Sequence, residues 1–114
     1  MKRRSLKIDK LLAEKSAILL KAHAFTTMGM TDTAQPLWAS AASYEERIAP
    51  LLDANGDTLE AAVHRISAAS CYVKAGEPGR AANLFRAALA GPLRAHTRKE
   101  VEGMLDECLG QLAE

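Results

Sequence analysis

Apolar side chains recur at intervals of three and four along almost the whole chain, the spacing of one helical face rather than of a strand. Over residues 5–28 the series Ile8, Leu11, Leu12, Leu19, Ala22 and Phe25 predicts a first helix. A second is expected after Thr31-Asp32-Thr33, where a short polar side chain can cap the free amides and Gln35 lies three residues beyond Asp32. It carries Leu37, Trp38, Ala41, Tyr44, Ile48 and Leu51. Pro36 suits only a first turn, Pro50 is expected to kink the helix or end it early, and Asn55-Gly56 offers a left-handed stop. Asp57 as N-cap with Glu60 as its capping-box partner opens a third helix, which runs to Ala75 and stops at Gly76. Pro78 fits the first turn of a fourth, with Ala81, Ala82, Leu84, Phe85, Ala88 and Leu89 before Gly91-Pro92. Thr97 with Glu100 forms a second capping box for a last helix through Val101, Met104, Leu105, Cys108 and Leu112. Connections this short turn successive helices antiparallel.

Composition narrows the fold to all-α. The chain has 22 Ala and 15 Leu against 3 Val, 4 Ile and five aromatics, a choice that favours helices and starves a sheet. Its 114 residues suffice for one domain. With 48% hydrophobic and 25% charged residues and a net charge of +1, it reads as a folded, soluble domain rather than a disordered tail or a polybasic nucleic-acid binder. Purely apolar stretches last only a few residues, so no membrane contact is expected. Met1-Lys2-Arg3-Arg4 resembles the charged opening of a signal peptide, but Lys7, Asp9 and Lys10 interrupt the apolar run that must follow. Cys71 and Cys108 read as small buried residues of a reducing compartment, and the predicted location is cytoplasmic.

The two glycine turns conceal a repeat. Gly29 aligned on Gly76 gives an offset of 47 that pairs Ala22 with Ala69, Phe25 with Tyr72, Ala34 with Ala81, Trp38 with Phe85, and Ala41 with Ala88. Small residues let antiparallel helices approach closely, aromatics fill the wedge between them, and glycine takes the left-handed conformation at the turn. Four of the five aromatics, Phe25, Trp38, Tyr72 and Phe85, fall on the repeat and read chiefly as structural wedges, which leaves binding work to smaller residues.

In this order and spacing the residues resemble the tetratricopeptide (TPR) family of helix-turn-helix repeats. The fuller match is Ala69, Tyr72, Gly76, Ala81, Phe85 and Ala88, with Pro92 one place before the family's closing proline; the other is Ala22, Phe25, Gly29, Ala34, Trp38 and Ala41. The chain departs from the family in its 47-residue period, in its long helices, and in Ile18 and Arg65 at the family's early Trp position. The resemblance implies a right-handed stack of about five helices, with TPR-like hairpins at about 5–55 and 57–91 and a capping helix at about 97–113. A four- or five-helix bundle is the alternative. It further implies an inner face that takes a peptide or a partner helix. That face would comprise Leu19, His23 and Thr26, beside Ser16 and Thr27, in the first half and Val63, Ile66, Ser70, Val73 and Lys74 in the second. The Lys and Asn set by which chaperone-binding members clamp a C-terminal carboxylate is absent, since Leu19, Leu20, His23, Ile66, Ser67 and Ser70 stand in the matching places.

Candidate chemistry is sparse. His23, His64 and His96 have no ligand partner at a metal-binding spacing, and no nucleophile elbow, reactive-cysteine signature or phosphate loop occurs, so neither an enzyme nor a cofactor is expected. Glu45-Glu46 and Asp106-Glu107 read as solvated carboxylates, and His64 as an ordinary half-exposed side chain. Charge is blocked along the chain: +5 over residues 1–21, −5 over 22–64, +6 over 65–99 and −5 over 100–114. Complementary neighbouring helices account for such blocks, and patches that steer a partner are the sharper reading. Nucleic acid is the weaker option, because Lys2, Arg3, Arg4, Lys7 and Lys10 lack interleaved aromatics. The expected function is a non-enzymatic protein-protein interaction module. The alternative is a homo-oligomeric structural protein in which Gly103 and Gly110, seven residues apart, line a close-packing seam.

Overall fold

Five helices form, α1 (Leu6–Thr27), α2 (Thr31–Ala54), α3 (Thr58–Lys74), α4 (Pro78–Leu89) and α5 (Ala95–Leu112), in a computed structural model that describes residues 5–114. No strand occurs among the described residues, and none of the helices is long and apolar enough to cross a membrane. Lys2, Arg3 and Arg4 of the nucleic-acid option lie outside the described residues.

One turn is used three times. Gly29, Gly56 and Gly76 have φ of 76°, 85° and 80°. In each case the residue after the glycine donates its N–H to a carbonyl five positions back, Met30 to Phe25, Asp57 to Leu52 and Glu77 to Tyr72. This is the Schellman closure, which satisfies carbonyls the helix end leaves free. The fourth connection cannot repeat it, because Pro92 follows Gly91 and has no N–H to give. Arg98 of α5 takes over, its guanidinium donating to the carbonyls of Leu89 at 2.7 Å and Gly91 at 3.0 Å.

Several expected boundaries shift. α2 starts at Thr31, so Asp32 and Thr33 lie inside the helix instead of capping it, and Pro36 sits beyond the first turn. Pro50 neither ends nor shortens α2, which continues to Ala54. Both prolines are exposed, as are Asp32 and Glu46 one turn earlier, so the carbonyls that lose a partner lie on the solvent side. Asp57 occupies the N-cap position of α3, but its side chain accepts from Asn55 Nδ2 at 2.8 Å and makes no cap bond. α5 begins at Ala95, two residues before Thr97, and Arg94 is its N-cap.

Each helix packs on its neighbours in sequence, α1 on α2, α2 on α3, α3 on α4 and α4 on α5, in a body of 44 × 30 × 19 Å. The ten repeat positions supply much of the main core. Ala22, Ala41, Ala69, Ala81 and Ala88 are wholly inaccessible, Ala34, Trp38, Tyr72 and Phe85 are buried, and Phe25 packs against them half-buried. Cys71 and Cys108 are free thiols in the same core.

The longer period comes from α2, 24 residues against 12 in α4. Its second half joins the start of α1 and of α3 in a smaller apolar cluster of Ile8, Leu11, Ile48, Ala49, Leu52 and Ala61. Glu45 corrects the solvated reading, because α2 lies between two helices and buries this carboxylate to 1% exposure. Lys15 Nζ of α1 stands 3.2 Å from its Oε1, an ion pair without hydrogen-bond geometry, and His64 Nδ1 of α3 lies 3.0 Å from its Oε2. His64 is half-exposed, as expected, and its ring nitrogen sits against this buried carboxylate. Arg65 with Asp53, and Tyr72 donating to Glu46, add two further α2–α3 links, so the acidic block of α2 meets cations and donors on both sides.

Candidate functional site

Alternating direction leaves α1, α3 and α5 parallel, with α2 and α4 filling the spaces behind them. A groove of about 230 Å³ forms between α1 and α3, lined by His23, Thr26, Thr31, Ala34, Gln35, Trp38 and Lys74. Another of about 260 Å³ forms between α3 and α5, lined by Ser70, Val73, Lys74, Phe85, Met104, Glu107, Cys108 and Gln111. Lys74 borders both.

The grooves obey the 47-residue offset. His23 corresponds to Ser70, Thr26 to Val73, and the floor residue Trp38 to Phe85. The repeat that builds the core thus also builds a recess beside each hairpin. Trp38 and Phe85, read from sequence chiefly as wedges, serve as floors as well.

The side chains above each floor set its chemistry. Trp38 Nε1 donates to Thr26 Oγ1 at 3.0 Å, and that hydroxyl donates in turn to the Ala22 carbonyl at 2.8 Å. The His23 ring meets the indole edge-on, with centroids 4.7 Å apart and planes at 83°. Lys74 Nζ lies 4.5 Å from the indole centroid, a cation–π contact that holds the ammonium where the grooves join. This groove thus sets a histidine, a hydroxyl and an ammonium around its indole floor. Its counterpart offers Val73, Met104 and Phe85, with Ser70, Glu107 and Gln111 as polar groups. Burial, followed by the Glu107 carboxylate, pushes the Cys108 thiol above its ordinary value, and it stays an uncharged wall.

Of the residues expected on the inner face, His23, Thr26, Ser70, Val73 and Lys74 come together here. None of the eight is fully buried. Leu19 and Ile66 are half-buried against the main core and line neither groove. Val63 is exposed but sits with Leu59, Leu93, Arg94 and Thr97 in a separate recess at the far end of α3. Sequence reasoning missed Met104, Glu107, Cys108 and Gln111, whose signal was their shared spacing of three and four on α5. No group of three or more His, Cys, Asp or Glu suited to a metal ion occurs among the described residues. No protein-family model, curated protein or solved structure matches the chain.

Proposed function

We propose that this chain is a non-enzymatic, TPR-like interaction module whose inner face holds a peptide or a helix of another protein. The observation that carries the reading is the pair of repeat-related grooves, open to solvent and joined at Lys74. An apolar anchor of the partner fits the Val73–Met104 groove, while Lys74 and His23 meet polar or acidic groups beside it. The chemistry needs no cofactor, and the chain acts by holding its partner.

Selection of a random peptide library on the wild-type protein, with counter-selection on Val73→Asp, tests the proposal. Val73 is 39% exposed, so the variant keeps its helicity. Peptides that bind the wild type are expected to lose at least about tenfold in affinity on the variant, and amide shifts on binding should centre on Val73, Lys74 and Met104. Peptides that bind both proteins equally, or whose shifts map to the opposite side, would defeat it.

A further inference from the structure

The two ends of the stack present faces that none of the described residues covers. α1 packs chiefly on α2, and its opposite side carries Leu6, Ala13, Ala17, Leu20 and Ala24, all exposed, with Leu6 at 88% and Leu20 at 73%. Ala17 and Ala24 are the repeat equivalents of His64 and Cys71, which on α3 face the helix before it. The same face of α1 lacks such a cover. At the other end α5 packs on α4, and its outer side carries Gly103 and Gly110 interleaved with Lys99 and Asp106. Glycine is a poor mid-helix residue, and nothing among the described residues asks for it here, since a Cβ at either position would meet no atom of theirs within 4 Å.

We infer that copies of this chain associate head to tail, the outer face of α1 in one protomer docking antiparallel on the outer face of α5 in the next. Leu6, Ala13 and Leu20 are spaced by seven, as are Gly103 and Gly110, about 10.5 Å along each helix. Setting Leu20 over Gly103 places Ala13 over Gly110, so Leu20 meets the gap one glycine leaves and the small Ala13 lets the helices approach at the other. Antiparallel docking also continues the alternation of the five helices across the junction.

Charge selects this pairing over a two-fold one. Lys10 and Lys21 flank one edge of the α1 stripe, while Glu100, Glu107 and Glu114 flank the corresponding edge of the glycine row. When helices pair antiparallel, like edges meet. Two copies of α1 would oppose lysines, and two copies of α5 would oppose glutamates. α1 against α5 sets Lys21 near Glu100 and Lys10 near Glu114. An interface of this heterologous kind propagates unless it closes into a ring.

The test uses two single-face variants of the full chain, Leu20→Asp and Gly103→Arg. Both positions are free of intrachain packing, so circular dichroism should report unchanged helicity. In sedimentation velocity at low salt, the wild type is expected to grow in mass over roughly a hundredfold range of concentration, and added salt should reverse the growth. Each variant alone should stay monomeric. Their equimolar mixture should form one-to-one dimers and nothing longer, since each retains one intact face. A wild type that stays monomeric throughout overturns the inference. So does a mixture that stays monomeric, or a Gly103→Arg protein that still pairs with itself.

Discussion

The two grooves occupy equivalent places in the repeat, yet Thr26 stands over an indole floor in one and Val73 over a phenyl floor in the other. The floors explain why. Trp38 brings an indole N–H into a buried position, and Thr26 supplies the acceptor it requires. Phe85 brings no donor, so its wall position can hold Val73. Thr26 with Trp38 and Val73 with Phe85 are matched pairs. A single core pattern can therefore be copied while its recess changes character, provided wall and floor change together.

Breaking the floors should have the largest effect. Phe85→Ala and Trp38→Ala each remove a buried aromatic, and urea midpoints should report a loss of about 3–5 kcal/mol for either. Near-equal losses would support equivalence of the two halves. Thr26→Val tests the matching itself. It strands the Trp38 N–H and should cost about 1–3 kcal/mol, while the double change with Trp38→Phe should recover much of that loss. No recovery would show that Thr26 acts elsewhere.

The turns permit a finer comparison. Gly29→Ala and Gly76→Ala both place a Cβ in the left-handed region, at about 1–2 kcal/mol. Gly76→Ala should cost slightly more, because its Cβ would come within 3.2 Å of Gln35 Nε2 while that of Gly29 meets nothing. Thermal denaturation of the two variants checks the order.

An effect confined to alkaline pH concerns the thiol of the second half. Cys71 is pushed up from 9.0 to about 11, first by burial and then by the nearby Glu45 carboxylate. A raised thiol leaves the folded state holding its proton where the unfolded chain has lost it. The stabilisation is whole below about pH 9 and fades as the pH climbs through about 11. Denaturation midpoints should fall less steeply over that window for Cys71→Ala than for the wild type. Ala24, the equivalent residue of the first half, is exposed on the outer side of α1 and has no proton to hold.

Much of the main core was legible because its signals are local. Glycines that require positive φ marked three turns, and small and aromatic residues at helical spacing marked the faces between them. The candidate site was half legible. His23, Thr26, Ser70, Val73 and Lys74 follow from their place on the repeat, whereas Met104, Glu107, Cys108 and Gln111 do not. Those four line a groove only because α5 runs parallel to α3, a relation that the spacing within one helix does not carry. Val63 misled for the same reason, sharing a face of α3 with Val73 but lying at the other end of the helix.

By itself the sequence determined that the chain is helical, where three of its helices stop, and which small residues meet across the hairpins. Propensity, positive φ and side-chain volume act within a turn or between adjacent helices, so the order of residues contains them. Tertiary structure alone decided that Glu45 is buried between Lys15 and His64, that α2 runs past Pro50, and that Arg98 closes the end of α4. Each depends on what a neighbouring helix brings to one particular point. A carboxylate among alanines is solvated or buried according to whether its helix is covered on both sides, and that is a property of the stack rather than of the residues beside it.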